Sequence, residues 1–120
     1  MPKTTFVPKE MMTYDSVGAF VVSEPTRNTD VAWARFRGRY LHIDRNGQPL
    51  HRRSFQRVRP FFAERAAVWQ NGLAYHILTD GSPAYVARFR WVGRFKNGQA
   101  QVQSLDGEDF FIDLNGVRID

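Results

Sequence analysis

The sequence predicts an all-β fold built from three tandem antiparallel β-hairpin or meander repeats of about 34 residues, packed around a continuous core. Three observations carry this. Gly47 and Gly81 are 34 residues apart, Gly81 and Gly116 are 35 apart, and each follows an acid or amide: Asn46, Asp80, Asn115. An aromatic–Val–Phe block recurs as Tyr14, Val17, Phe20, then Phe55, Val58, Phe61, then Phe89, Val92, Phe95. No long stretch shows a sustained helical period with caps.

The elements follow in chain order. Residues 1–12 are a leader with two prolines, suited to an edge strand or a cap. The first unit spans 14–47, and its polar stretch at 23–30, with Pro25, reads as a loop. Residues 31–36 and 40–43 are apolar-rich runs of β formers broken by Gly38. Arg45-Asn46-Gly47 ends the second run, and Asn-Gly is a strong hairpin signal because both residues tolerate positive φ. The second unit, 55–81, carries Ala66 and Val68 before its turn, as the first carries Ala32 and Ala34 and the third Ala100 and Val102. Residues 62–69 are the one helical candidate. The positions 34 further on include Asn97-Gly98, which argues against a helix. The third unit spans 89–116, and the whole chain reads as one domain, 1–120. One such unit cannot bury both faces of a small sheet, whereas stacked neighbours can.

The order aromatic-x-x-Val-x-x-Phe, Ala-x-Val, glycine turn, aromatic-x-Ile-Asp-x-Asn-Gly resembles the bacterial WG (Trp-Gly) repeat. It is clearest in Tyr14-Asp15-Ser16-Val17-Gly18-Ala19-Phe20, His42-Ile43-Asp44-Arg45-Asn46-Gly47 and Phe111-Ile112-Asp113-Leu114-Asn115-Gly116. The resemblance covers about residues 13–117 and is divergent at the signature. Tyr40-Leu41, Ala74-Tyr75 and Asp109-Phe110 stand where Trp-Gly belongs. The resemblance implies an all-β interaction module and brings no catalytic residues.

Composition narrows the function. The chain has 120 residues and no cysteine, which excludes disulfides, thiolate metal sites and cysteine nucleophiles. No apolar run approaches the roughly 18 residues of a membrane span, and residues 1–5 lack the apolar stretch of a secretory signal. A cytoplasmic protein without membrane insertion is the expectation. His42 and His76 share one repeat position, which favours packing over metal ligation, and no metal site or cofactor is implied. Asp44 and Asp113 precede Asn-Gly and read as turn caps, not as an acid/base pair. No nucleophile elbow, phosphate loop or dinucleotide fingerprint is present.

The net charge of +5 is an arginine excess. Residues 31–65 carry nine arginines against Asp44 and Glu64, a balance of +7, while residues 106–120 carry a balance of −4. Arg35, Arg37 and Arg39 are spaced by two, so a strand running through Arg37 would turn all three to one face. Arg57 and Arg59 repeat the alternation around Val58, and Arg88 and Arg90 around Phe89. Arg52 and Arg53 add charge in a linking loop, and Trp91 is the candidate outward tryptophan. This set reads as a partner-binding surface for an acidic protein. The alternative is a nucleic-acid binder using the arginine ladders on phosphates. A solvated polar face weighs evenly against either. An enzyme ranks third. Charge asymmetry also lets two copies meet end to end as a homodimer.

Overall fold

A computed structural model describes residues 14–22 and 30–119. The leader 1–12 and the loop at 23–29 lie outside the described residues. Among those described there is no helix, and the strands form three antiparallel sheets.

The first sheet centres on β3 (Asp30–Phe36). Two short strands, β1 (Ser16–Val17) and β2 (Val21–Val22), lie along one edge of β3, and β4 (Arg39–Ile43) lies along the other. The second sheet runs β5 (Arg57–Val58), β6 (Ala66–Gln70), β7 (Leu73–Ile77). The third runs β8 (Trp91–Val92), β9 (Ala100–Gln103), β10 (Asp109–Ile112), β11 (Arg118–Ile119).

Alternation decides what each strand buries. Val58 lies opposite Val68, and Val92 opposite Val102. All four are buried, and β-branched cross-strand pairs suit such positions. They join Ile77, Ile112, Phe61 and Phe95 in one apolar cluster extending from Val31 to Ile112. Burying each phenylalanine contributes about 2–3 kcal/mol. A smaller cluster holds Ala32, Ala34, Leu41 and Ile43.

Backbone bonds tie the sheets together. Tyr40 and Phe55 exchange two bonds of 2.8 Å, and Ala74 and Phe89 exchange bonds of 2.7 and 2.9 Å. The outer edges of β4 and β7 are therefore paired with the segments leading into the next sheet.

The turns depart from expectation in an instructive way. Among the Asn46-Gly47 residues only Gly47 has positive φ, so this is not a two-residue primed hairpin turn. The Asp44 carboxylate instead accepts the amides of Asn46 (2.8 Å) and Gln48 (3.0 Å). Asp113 does the same for Asn115 and Val117 at 2.8 and 3.0 Å. The tight hairpin turns are Arg37-Gly38, Ala63-Glu64, Asn71-Gly72 and Asn97-Gly98, each with two positive φ values. Residues 62–69 are thus a turn followed by β6, not a helix.

Ala63 and Glu64, with φ of 54° and 64°, hold a conformation that costs such residues roughly 1 kcal/mol each. Asn97-Gly98 adopts it cheaply. Replacing Ala63-Glu64 with Asn-Gly is expected to stabilise the fold by about 1–2 kcal/mol. Urea unfolding would show a higher midpoint at unchanged slope.

Candidate interaction surface

Two histidines lie beneath this surface. His42 on β4 and His76 on β7 are fully buried. The His42 Nε2–H donates to the Arg59 carbonyl (2.8 Å), so its Nδ1 must accept. His51 Nε2–H donates to that Nδ1 (3.2 Å), and His51 Nδ1 accepts the Arg53 amide (3.3 Å). His76 repeats the arrangement. Its Nε2–H donates to the Gly93 carbonyl (2.7 Å), and Nδ1 accepts the Tyr85 hydroxyl (2.5 Å). Phe61 stacks on His42 and Phe95 on His76, both with centroids 4.4 Å apart.

Burial pushes both rings down to about 4, against the pull of the carbonyls they donate to. They are neutral at pH 7. Burial also raises the Tyr85 hydroxyl, keeping it a donor. The histidines are therefore positioning groups: they hold the backbone at Arg59 and Gly93, the residues from which the surface is built. Among described residues, no group of three His, Cys, Asp or Glu side chains could hold a metal ion. No helix there is long and apolar enough to cross a membrane.

A groove of about 440 Å³ lies between the second and third sheets. Arg59, Pro60, Phe62, Trp91, Gly93 and Arg94 line it, with Phe61, Ala67 and Val92 below. Trp91 is 40% exposed and lies over Gly93, where a Cβ would sit 3.1 Å from the indole. Arg94 stacks on Phe62 at 4.5 Å, while Arg57 and Arg59 stand over Trp69 at 5.2 and 5.7 Å. Such stacking holds the planar guanidinium forks in fixed directions, with less entropy to lose on binding. Among the described residues, no carboxylate lines the groove.

The sequence-predicted residues divide. Arg59 and Trp91 line the groove together, while Arg57 stands over Trp69 and is not among the groove's lining residues. The ladder Arg35, Arg37, Arg39 is not formed. β3 ends at Phe36, Arg37 occupies the hairpin turn with φ 53°, and Arg39 returns on β4 opposite Phe36. Arg35 lies opposite Tyr40, so alternation puts Arg35 and Arg39 on opposite faces. The cause is local: Gly38 takes the second turn position that the run of alternating arginines obscures. Arg39 is half-buried and bonds Ser54 and Gln70. Arg88 also fails to pair with Arg90 on an open face. It stacks on Tyr75 at 3.8 Å and donates to the carbonyls of Tyr85, Val86 and Ala87. Arg90 is exposed and donates to Leu105. Arg52 and Arg53 are exposed outside the groove. The sequence reading missed Phe62 and Arg94. Each adjoins a recurring core position, Phe61 or Phe95, and alternation turns such neighbours outward.

No protein-family model, no curated protein and no solved structure matches the chain. The fold defines a class: an all-β protein whose described strands form three antiparallel sheets, with an arginine- and aromatic-lined groove.

Proposed function

We propose that the chain is a non-catalytic β-repeat module, similar to a divergent WG repeat, that engages an acidic protein partner through its arginine and aromatic surface. The groove of Arg59, Phe62, Trp91 and Arg94 carries this reading, because it sets cations beside an exposed indole with no acid among its described lining residues. Arg and Trp in such a pocket are the composition of binding hot spots.

Register supports the repeat. Val17 lies opposite Ala34, Val58 opposite Val68 and Val92 opposite Val102. Each hairpin then continues into Ile43, Ile77 or Ile112, followed by a glycine turn. The units of about 34 residues are the common denominator. The broken ladder weighs against a phosphate-tracking stripe and so against nucleic acid, which needs successive cations along one path.

The test is fluorescence anisotropy with two labelled probes, a Glu/Asp-rich peptide carrying a central Phe and a DNA duplex. Arg59→Glu with Arg94→Glu is expected to abolish peptide binding, and Trp91→Ala to weaken it about tenfold or more. Duplex binding that falls steeply with salt and ignores Trp91 would transfer the function to nucleic acid.

A further inference from the structure

The same face of each sheet is covered differently. In the first sheet, alternation places Trp33 and His42 on one face, since they lie opposite each other. That face receives the segment 59–61: Arg59 accepts from His42 and Phe61 stacks on it. In the second sheet Ala67 and His76 lie opposite each other, and 93–95 covers them in the same way. In the third sheet Gln101 and Phe111 hold these register positions. Phe111 is 46% exposed, where His42 and His76 are fully buried. Trp91 stands beside it, and a groove of about 390 Å³ runs between them over Gly93 and Gln101.

The edge strand repeats the pattern. Tyr40 lies opposite Arg35, Ala74 opposite Trp69, and Asp109 opposite Gln103. Tyr40 and Ala74 each exchange two backbone bonds with an incoming phenylalanine. Asp109 occupies the equivalent place, exposed.

The complementary half sits on the first sheet. Phe55–Val58–Phe61 and Phe89–Val92–Phe95 are the covering segments, and Tyr14, Val17 and Phe20 form the matching block. Val17 is 46% exposed, while Val58 and Val92 are buried.

Charge favours the fit. Arg39 reaches across its junction to Ser54 and Gln70. Two repeats on from Arg39 stands Glu108, ion-paired with Arg118 at 2.9 Å, and one repeat back from Gln70 stands Phe36, followed by Arg37. The balances of −4 over 106–120 and +7 over 31–65 set opposite net charge toward the two ends of the array.

We infer that the chain associates head to tail, the Trp91, Gln101 and Phe111 face of one copy receiving the block at residues 14–20 of a second copy. This rests on the repeat reading given above. The contact is heterologous, so a bound pair leaves one copy's 14–20 block and the other copy's Trp91–Phe111 face unused, and it grows into short filaments. Phe111 in place of histidine needs no carbonyl partner, so Trp91 and Phe111 supply the apolar contact, with Arg94, Lys96 and Gln101 beside them.

Sedimentation velocity over a range of concentrations tests it, with the wild type, Val17→Asp and Phe111→Asp. Wild-type mass rises with concentration beyond dimer, and less so at high salt. Each variant alone is monomeric. An equimolar mixture gives a one-to-one dimer and nothing larger, because each variant retains the half that the other lacks. A wild type that stays monomeric, a single variant that assembles, or a mixture that stays monomeric would overturn the inference. Both substituted positions are exposed, and thermal melts matching the wild type establish that the variants fold. Val17→Asp touches no part of the Arg59 and Arg94 groove, so its binding to the acidic peptide reports on the proposed function separately.

Discussion

Gly116→Ala is expected to destabilise the protein by about 2–4 kcal/mol. Two costs combine. Gly116 has φ +81°, a region in which a Cβ is strained. That Cβ would also sit 2.6 Å from the Tyr85 ring, inside any real contact distance. Tyr85 has little room to yield, because it is buried and its hydroxyl is held by His76. The ring would tilt, and the bond to His76 would be lost with it. Gly107→Ala is the control. Gly107 has φ +95° but nothing within 4 Å of its Cβ, so only the strain of about 1 kcal/mol remains. Urea unfolding of the two variants should separate their midpoints clearly. Equal losses would show that the Tyr85 contact contributes nothing. Gly81→Ala should resemble Gly116→Ala, since its Cβ would meet His51 at 2.9 Å.

Stability is expected to fall between pH 6.5 and 4 by several kcal/mol, of the order of 3 for each of His42 and His76. The sign follows from the neutral native rings. Unfolded histidine takes a proton near pH 6.5, while the buried rings refuse it until about 4. Acid therefore favours the unfolded chain throughout this window. Above it both states are neutral, and below it both are charged, so the histidine contribution is flat on either side. His51 shifts in the same direction, again mainly through burial, and steepens the slope. Asp80 and Asp106 are lowered mainly by hydrogen bonds from Ser82 and Ser104. Their effect comes at lower pH, when the carboxylates protonate. His76→Gln retains a donor for Gly93 and an acceptor for Tyr85 but does not titrate. It should remove about one proton from the unfolding uptake at pH 5. Denaturant unfolding at half-unit pH steps measures this, and an unchanged slope in His76→Gln would contradict the buried neutral ring.

The sheets were legible in the sequence because burial repeats visibly. Val58 and Val68 pair, Val92 and Val102 pair, and the apolar run at 31–36 falls within β3. The arginine ladder was misread for a physical reason. A spacing of two implies one face only if the strand continues, and Arg37 turns instead with φ 53°. Propensity gave no warning, since arginine rarely takes positive φ. Ala63-Glu64 hides its turn in the same way, and only the Asn97-Gly98 counterpart exposes it. Of the groove's lining, Trp91 and Arg59 were visible as outward members of alternating runs. Phe62 and Arg94 were not, because their meeting at 4.5 Å depends on how the second and third sheets pack. The histidine bonds to Arg59 and Gly93 span 17 residues, a separation that carries no local sequence signal.

The central claim is that the groove between the second and third sheets receives an acidic partner. Amide and indole NMR spectra during titration with the Glu/Asp-rich peptide test it most directly. Shifts are expected to concentrate at Arg59, Phe62, Gly93, Arg94 and the Trp91 indole, and to be lost in Arg59→Glu with Arg94→Glu. Shifts confined to other residues, or none at low salt, would contradict it.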